Sequence, residues 1–224
     1  NSITAENDMK PQPTEPAYGQ FNWENADKIA NFCRSNGIKL RGHCLMWHAQ
    51  IGKWMYQDEK GNLVSKEKLF QNMKHHITAI MERYKDVVYA WDVVNEAISD
   101  GGRPVMGQKP SPYRNSPLYQ IAGDEFIKKA FIYAREADPN VLLFYNDYNA
   151  ADPQKRDRIY NMVKSMKEEG VPIDGIGMQG HYNIYGPSME DVDAALTKYS
   201  TIVKHIHITE LDIRANEEMG GHLN

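Results

Sequence analysis

Residues 88–96 read VYAWDVVNE, a short and mostly apolar run that ends in an amide and a carboxylate. The run is too short for a helix of ordinary length, and its valines and aromatic residues are typical of a strand covered on both faces of a parallel sheet. Asn95 and Glu96 are therefore expected at the carboxyl end of that strand. An unpaired charge is costly to bury, so a glutamate at the exit of a buried strand is a candidate functional residue.

The same alternation of short apolar runs and helical patterns continues along the chain. Strands are predicted at residues 2–6, 38–45, 88–94, 141–146, 174–179 and 204–210. Helices are predicted between them at residues 23–36, 65–84, 116–137, 153–169 and 188–199. Residues 99–115 are rich in Gly, Pro and Ser and are predicted to form a long loop. Strands that alternate with helices imply right-handed crossovers and a parallel sheet.

The polar residues distinguish between two parallel architectures, an open doubly wound sheet and an incomplete (β/α)8 TIM barrel. They gather at the carboxyl end of nearly every strand, as Glu6-Asn7, His43, Trp47-His48, Asn95-Glu96, Asn146-Asp147, Gln179, His181, Glu210 and Asp212. In a barrel these ends converge on one face, whereas an open sheet binds its ligand at one switch point. No glycine-rich phosphate loop follows a strand, so we expect no nucleotide cofactor. The sequence predicts an α/β fold, an incomplete TIM barrel of about six strands in which residues 1–224 form one partial catalytic domain.

Composition excludes several classes of function. The 224 residues are 41% hydrophobic and 25% charged, and the net charge of −4 is spread over both signs. Without a basic stripe or an apolar run of roughly 20 residues, we expect neither nucleic acid nor a membrane as partner. The two cysteines, Cys33 and Cys44, are predicted to be buried free thiols, although their spacing alone leaves a disulfide open.

Glu96 and Glu210 each follow a buried strand directly. Two such carboxyl groups suit glycosidic bond cleavage, in which one delivers a proton to the leaving oxygen and the other attacks the anomeric carbon. Trp47 and Tyr148 are placed to stack on a sugar face.

The histidines offer a competing interpretation as ligands of a metal-dependent hydrolase. The four candidates are His43, His48, His181 and His207. The spacing from His43 to His48 is not that of two ligands on one helix, so we expect no metal. Hydrogen bonds from these histidines to carboxylates or sugar hydroxyls are expected instead.

Six segments, in order along the chain, resemble glycoside hydrolase family ten, the endo-1,4-β-xylanases. They are TAENDMKP (4–11), RGHCLMWHAQ (41–50), WDVVNEA (91–97), YNDYN (145–149), GIGMQGHY (175–182) and HITELDI (207–213). The resemblance implies endo-acting hydrolysis of β-1,4-xylosidic bonds with retention of configuration. The two carboxyl groups would then lie about 5–5.5 Å apart.

The resemblance also implies a role for each matching residue. Glu96 is the expected acid/base and Glu210 the expected nucleophile, with His181 and Asp212 orienting Glu210. Asn95 is expected to bind the sugar 2-hydroxyl. The other expected substrate-binding residues are Lys10, His43, Trp47, Gln179 and His181 around the reacting sugar, Glu6, Asn7 and Gln50 at the next sugar, and Asn146 and Tyr148 on the leaving-group side.

The first and eighth strands of the family barrel have no counterpart in this sequence. We therefore expect two uncovered sheet edges, which a second copy or a missing segment would complete. The resemblance implies a secreted or extracytoplasmic protein, although this sequence shows no signal peptide. Two alternatives remain open, a related β-1,4-glucan hydrolase and a truncated, non-catalytic carbohydrate-binding remnant.

Overall fold

The computed structural model of the protein describes residues 1–101 and 111–215. Within these ranges the strands are β1 (Ser2–Thr4), β2 (Lys39–Trp47), β3 (Val88–Asn95), β4 (Leu142–Asp147), β5 (Gly175–Met178), β6 (His181–Asn183), β7 (His205–Ile208) and β8 (Asp212–Arg214). The helices are α1 (Pro11–Thr14), α2 (Glu24–Asn36), α3 (Lys66–Tyr84), α4 (Pro117–Ala122), α5 (Glu125–Ala137), α6 (Pro153–Glu168) and α7 (Met189–Ser200). A short 3-10 helix spans Lys53–Met55.

The main sheet confirms the predicted parallel architecture. Its six strands follow the order β1-β2-β3-β4-β5-β7, and every neighbouring pair is parallel. The sheet thus forms six strands of a β/α barrel. A second, two-stranded parallel sheet of β6 and β8 was not predicted. It extends the carboxyl ends of β5 and β7, where the predicted site lies.

Strand boundaries shift by a few residues in ways that affect the site. β2 runs two residues beyond its predicted end and reaches Trp47. β7 stops at Ile208, two residues before its predicted end, so Thr209 and Glu210 lie beyond the ladder. Their backbone amides still donate to the carbonyls of Met178 and Gln179. Glu210 is thereby held in register with the end of β5.

Local signals account for the helices. Ser65 caps α3 by accepting from the amide of Lys68, and Asp152 caps α6 ahead of Pro153. The apolar positions predicted for α3 are all buried, namely Leu69, Met73, Ile77, Ile80, Met81 and Tyr84.

The single helix predicted at residues 116–137 is wrong, because two helices, α4 and α5, occupy this range. Gly123 separates them with φ 60° and ψ −149°, a conformation that essentially only glycine adopts. The apolar periodicity continues through this break, which is why the sequence pattern predicts one helix.

One contiguous hydrophobic core extends from Ala5 to Val203. Trp91 of β3 is buried in it, beside Gly42 of β2. A Cβ atom at Gly42 would lie only 2.2 Å from the Trp91 ring, so the ring occupies the space that a side chain would need. Cys33 and Cys44 are buried and unbonded, which confirms the free thiols and excludes the disulfide.

The two outer strands of the main sheet, β1 and β7, each pair on one side only within the described residues. Apolar side chains at the β7 end are exposed, with 42% for Ile208, 60% for Leu211 and 64% for Ile213. Among residues 1–101 and 111–215, the outer sides of both edge strands are thus unpaired, as predicted. No helix in the two described ranges is long and apolar enough to cross a bilayer.

The long loop predicted at residues 99–115 lies partly outside the described residues, which omit 102–110. Its base is an antiparallel ladder. Ile98 bridges Tyr113, the amide of Ser99 donates to Pro112, and the amide of Arg114 donates to Ala97. Arg114 is therefore held directly beside the end of β3.

Candidate active site

The carboxyl ends of the parallel strands border a cavity of about 450 Å³. This cavity is lined by Thr4, Glu6, Lys10, His43, Asp92, His181, Thr209, Glu210 and Asp212. Six of these residues belong to the predicted site, so the convergence expected of a barrel face is observed.

Glu96 occupies an unusual backbone position at the end of β3. Its φ of 57° is in the left-handed region, which non-glycine residues enter at a cost of about 1–3 kcal/mol. Its carboxyl group accepts three hydrogen bonds from neutral donors. Oε1 accepts from Asn95 at 3.1 Å and Gln179 at 3.0 Å, and Oε2 accepts from the indole of Trp47 at 2.9 Å.

Glu210 lies among different partners. Its Oε1 accepts from the Asn146 amide at 2.9 Å, and its Oε2 is 3.1 Å from Nε2 of His181. The other ring nitrogen of His181 is 2.5 Å from Asp212. Burial alone would lower the pKa of His181, but hydrogen bonds to Asp212 and Glu210 raise this pKa above its ordinary value. The His181 ring is thereby held beside Glu210 through contacts at both of its nitrogens.

A bridge of amides joins the two carboxyl groups. Asn146 donates from Nδ2 to Glu210 and also, at 3.0 Å, to Oδ1 of Asn95. Gln179 donates to that same Asn95 oxygen at 3.2 Å. Asn95 in turn donates to Glu96, so two amide side chains connect the two glutamates.

The space for Asn146 depends on a glycine in the neighbouring strand. A Cβ atom at Gly177 would lie 2.2 Å from Oδ1 of Asn146 and 3.0 Å from Thr209. That Oδ1 atom accepts from the Thr209 hydroxyl at 2.7 Å. Gly177 therefore allows Asn146 to reach across to Glu210.

Beneath the glutamates lies a buried ionic cluster, of which only His43 was in the predicted site. Asp92 of β3 pairs with Arg41 at 2.5 Å and with His43 at 2.9 Å, and all three residues are buried. Burial would raise the pKa of Asp92, but Arg41 and His43 hold this pKa below its ordinary value. Opposite charges inside two predicted neighbouring strands are the signal that could have revealed this pair.

The predicted residues of the next sugar subsite lie around Trp47 and Lys10. The ammonium of Lys10 is 4.6 Å from the centre of the Trp47 ring and donates to Asn7 at 2.8 Å. Glu6 lines the cavity with an exposed side chain. Gln50 joins this region through its carbonyl, which accepts from the Gln12 amide at 3.0 Å.

Tyr148 lies outside the amide bridge that joins the two glutamates. Its hydroxyl donates to Asp100 and accepts from Arg114 at 2.8 Å, and the Lys155 ammonium is 3.4 Å from its ring centre. A second cavity of about 500 Å³ borders this cluster at Asp100 and Lys155, and His181 borders both cavities. Asp100, Arg114 and Lys155 were absent from the predicted site.

Three of the four histidines considered as metal ligands contact polar protein groups. His43 binds Asp92, His181 binds Glu210 and Asp212, and His207 lies 3.0 Å from Arg41. Burial, together with Arg114, lowers the pKa of His48. Among residues 1–101 and 111–215, no three His, Cys, Asp or Glu side chains are grouped to hold a metal ion.

A parallel β/α barrel sheet with two glutamates on its carboxyl-end face defines a class, the barrel glycoside hydrolases. Within that class, the chain belongs to glycosyl hydrolase family 10, whose family model matches residues 1–222. The predicted resemblance is thereby confirmed.

The names of two curated relatives agree with this membership. The chain is 59% identical to an endo-1,4-beta-xylanase/feruloyl esterase of Xylanibacter ruminicola, covering 100% of this chain and 31% of the relative. It is 46% identical to endo-1,4-beta-xylanase B of Paenibacillus barcinonensis, covering 95% of this chain and 62% of the relative. The chain thus spans between about one third and two thirds of the length of these two relatives.

Solved structures show the same fold. A psychrophilic family 10 endo-beta-1,4-xylanase superimposes with a TM-score of 0.93 at 72% identity, covering 99% of this chain and 67% of that structure. The xylanase XynB of Paenibacillus barcinonensis, complexed with a conduramine derivative, superimposes with a TM-score of 0.88 at 45% identity. The latter match covers 95% of this chain and 62% of that structure.

Proposed function

We propose that the protein hydrolyses internal β-1,4-xylosidic bonds of xylan with retention of configuration. The observation that carries this proposal concerns the two carboxyl groups. They are linked through hydrogen bonds, yet each has different hydrogen-bond partners. Glu210 lies beside a histidine whose pKa is raised, whereas Glu96 accepts only from neutral donors among its described hydrogen bonds. The two carboxyl groups thus have different surroundings, as the separate roles of a nucleophile and a proton donor require.

The reaction proceeds in two displacements. In the first, a Glu210 oxygen attacks the anomeric carbon, the glycosidic C–O bond breaks, and the proton of Glu96 passes to the departing oxygen. In the second, Glu96 takes a proton from water as the water oxygen attacks the anomeric carbon and the ester to Glu210 breaks. Both carboxyl groups return to their starting protonation states.

The remaining predicted residues divide into two roles in this proposal. Asn146, which the resemblance places on the leaving-group side, donates to both Asn95 and Glu210, so we assign it the positioning of Glu210. His181 and Asp212 orient the nucleophile. The residues that bind the sugars are Glu6, Asn7, Lys10, His43, Trp47, Gln50, Asn95, Tyr148, Gln179 and His181.

A second copy or a segment outside this sequence completes the barrel in our proposal. Support comes from the exposed apolar residues beside β7 and from the outer sides of β1 and β7, which are unpaired within the part of the chain that the structure describes. Light scattering of the isolated chain tests completion by a second copy, because association through the sheet edges gives a measured mass above that of one chain. An isolated chain that is strictly monomeric and fully active would contradict both the second copy and the outside segment.

Substrate preference is tested by comparing hydrolysis rates on xylan and on soluble cellulose. We expect xylan to be cut at internal bonds, with a rapid fall in polymer length. Glu96→Ala and Glu210→Ala should each abolish hydrolysis and leave oligosaccharide binding partly intact, while Glu82→Ala on the exposed face of α3 serves as the control. Faster cleavage of cellulose would support the glucan hydrolase, and binding without cleavage by the unaltered protein would support the carbohydrate-binding remnant.

We also propose a secreted or extracytoplasmic location, because a polymeric substrate cannot cross a membrane to reach an internal enzyme. Fractionation of cells that produce the protein tests this location. Recovery from the cytoplasm alone would contradict it.

A further inference from the structure

Arg114 sits at the base of the loop that follows β3, outside the set of residues expected to touch the sugar. Its backbone amide donates to the carbonyl of Ala97 at 2.8 Å. Its Nε donates to the carbonyl of Glu96 at 2.9 Å, and a second guanidinium nitrogen donates to the Tyr148 hydroxyl at 2.8 Å. The side chain is thus bound at both ends of the guanidinium.

The Glu96 backbone needs such restraints because its left-handed conformation is intrinsically unfavourable. On its amino side, the Glu96 amide donates to the Asn146 carbonyl at 2.9 Å. On its carboxyl side, the Arg114 guanidinium binds the carbonyl, and the next amide, that of Ala97, donates to the Tyr145 hydroxyl at 3.0 Å. Arg114 is the charged group among these restraints, and hydrogen bonds from charged donors are the stronger ones.

The other end of the guanidinium reaches the residue expected on the leaving-group side. Tyr148 is held by Arg114 and by Asp100, and Asp100 is fixed by Lys155 at 2.7 Å. Lys155 is only 1% exposed and lies over the Tyr148 ring. The position of Tyr148 is therefore set by a cluster of charged side chains, and Arg114 connects that cluster to Glu96.

We infer that Arg114 is a positioning residue for acid catalysis. It holds the Glu96 backbone at a fixed separation from Tyr148, the tyrosine expected on the leaving-group side. This inference rests on the proposed function, because it concerns proton delivery by Glu96. A proton donor must come within about 2.6–3.2 Å of the departing oxygen. A displacement of about 1 Å at such a group can lower the rate about 100-fold.

Leaving groups of different basicity test the inference. Arg114→Lys keeps the charge but lacks the planar fork that makes both bonds, and Arg114→Met removes both. The kcat/KM values of the full-length protein carrying this sequence are measured on phenyl and 2,4-dinitrophenyl β-xylobioside. Phenolate requires protonation as it departs, whereas dinitrophenolate departs unaided. We expect kcat/KM to fall about 10- to 100-fold on the phenyl substrate and less than about 3-fold on the dinitrophenyl substrate.

Arg135→Lys is the matched control. Arg135 of α5 also donates to backbone carbonyls, those of Asp138 and Val141, and pairs with Asp174. Its guanidinium lies beside the amino end of β4, away from the glutamates. Arg135→Lys should lower the midpoint of thermal unfolding. It should not cause a different change in kcat/KM on the phenyl and the dinitrophenyl substrate.

Each outcome discriminates between the two proposals. Equal losses on both substrates, or no loss on either, would overturn the role of Arg114 while leaving the proposed function intact. An unaltered protein that cleaves neither xyloside would overturn the proposed function, and the inference with it. Should Arg114→Met fail to fold, Arg114→Lys and Tyr148→Phe carry the test, since removing the tyrosine hydroxyl should give a smaller loss in the same direction.

Discussion

The side-chain amide of Asn146 lies 2.9 Å from Oε1 of Glu210 and donates to it. We predict that Asn146→Ala lowers kcat/KM on xylo-oligosaccharides by about 10- to 100-fold, because a hydrogen bond to a charged group contributes about 1.5–3 kcal/mol. The exposed Asn140, just before β4, provides the control. Asn140→Ala should leave the rate unchanged, and a comparable loss there would mean that the effect is not local to Glu210.

Gly177 makes room for this contact, since an added Cβ would meet Oδ1 of Asn146 at 2.2 Å. We predict that Gly177→Ala costs about 1–3 kcal/mol of unfolding free energy through overpacking and also lowers the rate. In the Asn146→Ala background, the added methyl group meets no amide, so its extra cost should shrink. A double-mutant cycle measured by denaturant unfolding checks this coupling, and strict additivity would contradict the steric explanation.

The raised pKa of His181 predicts a pH-dependent contribution to the site. Hydrogen bonds to Asp212 and Glu210 raise this pKa, against the opposing effect of burial. The resulting stabilisation is fully present below about pH 6.5, the ordinary histidine value, and is lost as pH rises through the higher folded value. An NMR titration of the His181 ring should give a midpoint above about 6.5. In Asp212→Asn the midpoint should fall, and an unchanged midpoint would exclude Asp212 as a cause.

Lys155 neutralises the buried carboxylate of Asp147 at 2.8 Å. Burial raises the pKa of Asp147 to about 6, while Lys155 and Tyr145 oppose this rise. We predict that Lys155→Met destabilises the protein by about 3–5 kcal/mol at pH 7, because it leaves a buried charge unpaired. The loss should be smaller at pH 5, where the carboxyl group of the variant is protonated. Denaturant unfolding at both pH values measures this, with the exposed Lys164→Met as the control. An equal loss at both pH values would contradict the role of Asp147.

The sequence was sufficient to predict the strands and the strand-end glutamates, for a simple physical reason. Parallel strands bring their carboxyl ends to one face, so the residues after each apolar run meet whatever their exact register. Contacts that depend on the direction of a side chain could not be predicted from the position of the strand ends. Arg114 lies in a loop whose antiparallel base could not be inferred from composition, and Asn146 reaches Glu210 only because Gly177 leaves space.

Predictions from short-range patterns also failed where a single residue determined the local backbone structure. Gly123 interrupts a helix that the apolar periodicity of residues 116–137 favours. The sheet of β6 and β8 pairs three-residue segments 31 positions apart, too short to show a period. Both features depend on tertiary context rather than on the local pattern.

Stereochemistry provides a test of the distance between the two catalytic carboxyl groups. Glu96 and Glu210 are joined through only two intervening side chains, Asn95 and Asn146. Such a compact bridge favours the separation of about 5–5.5 Å that a covalent intermediate requires, rather than the roughly 6.5–9.5 Å that admits a water molecule between carboxylate and sugar. We therefore predict that newly formed xylo-oligosaccharides carry the β-configuration at the reducing end before mutarotation. Proton NMR in the first minutes of hydrolysis measures the anomer directly, and initial release of the α-anomer would require an inverting arrangement and rule out Glu210 as the nucleophile.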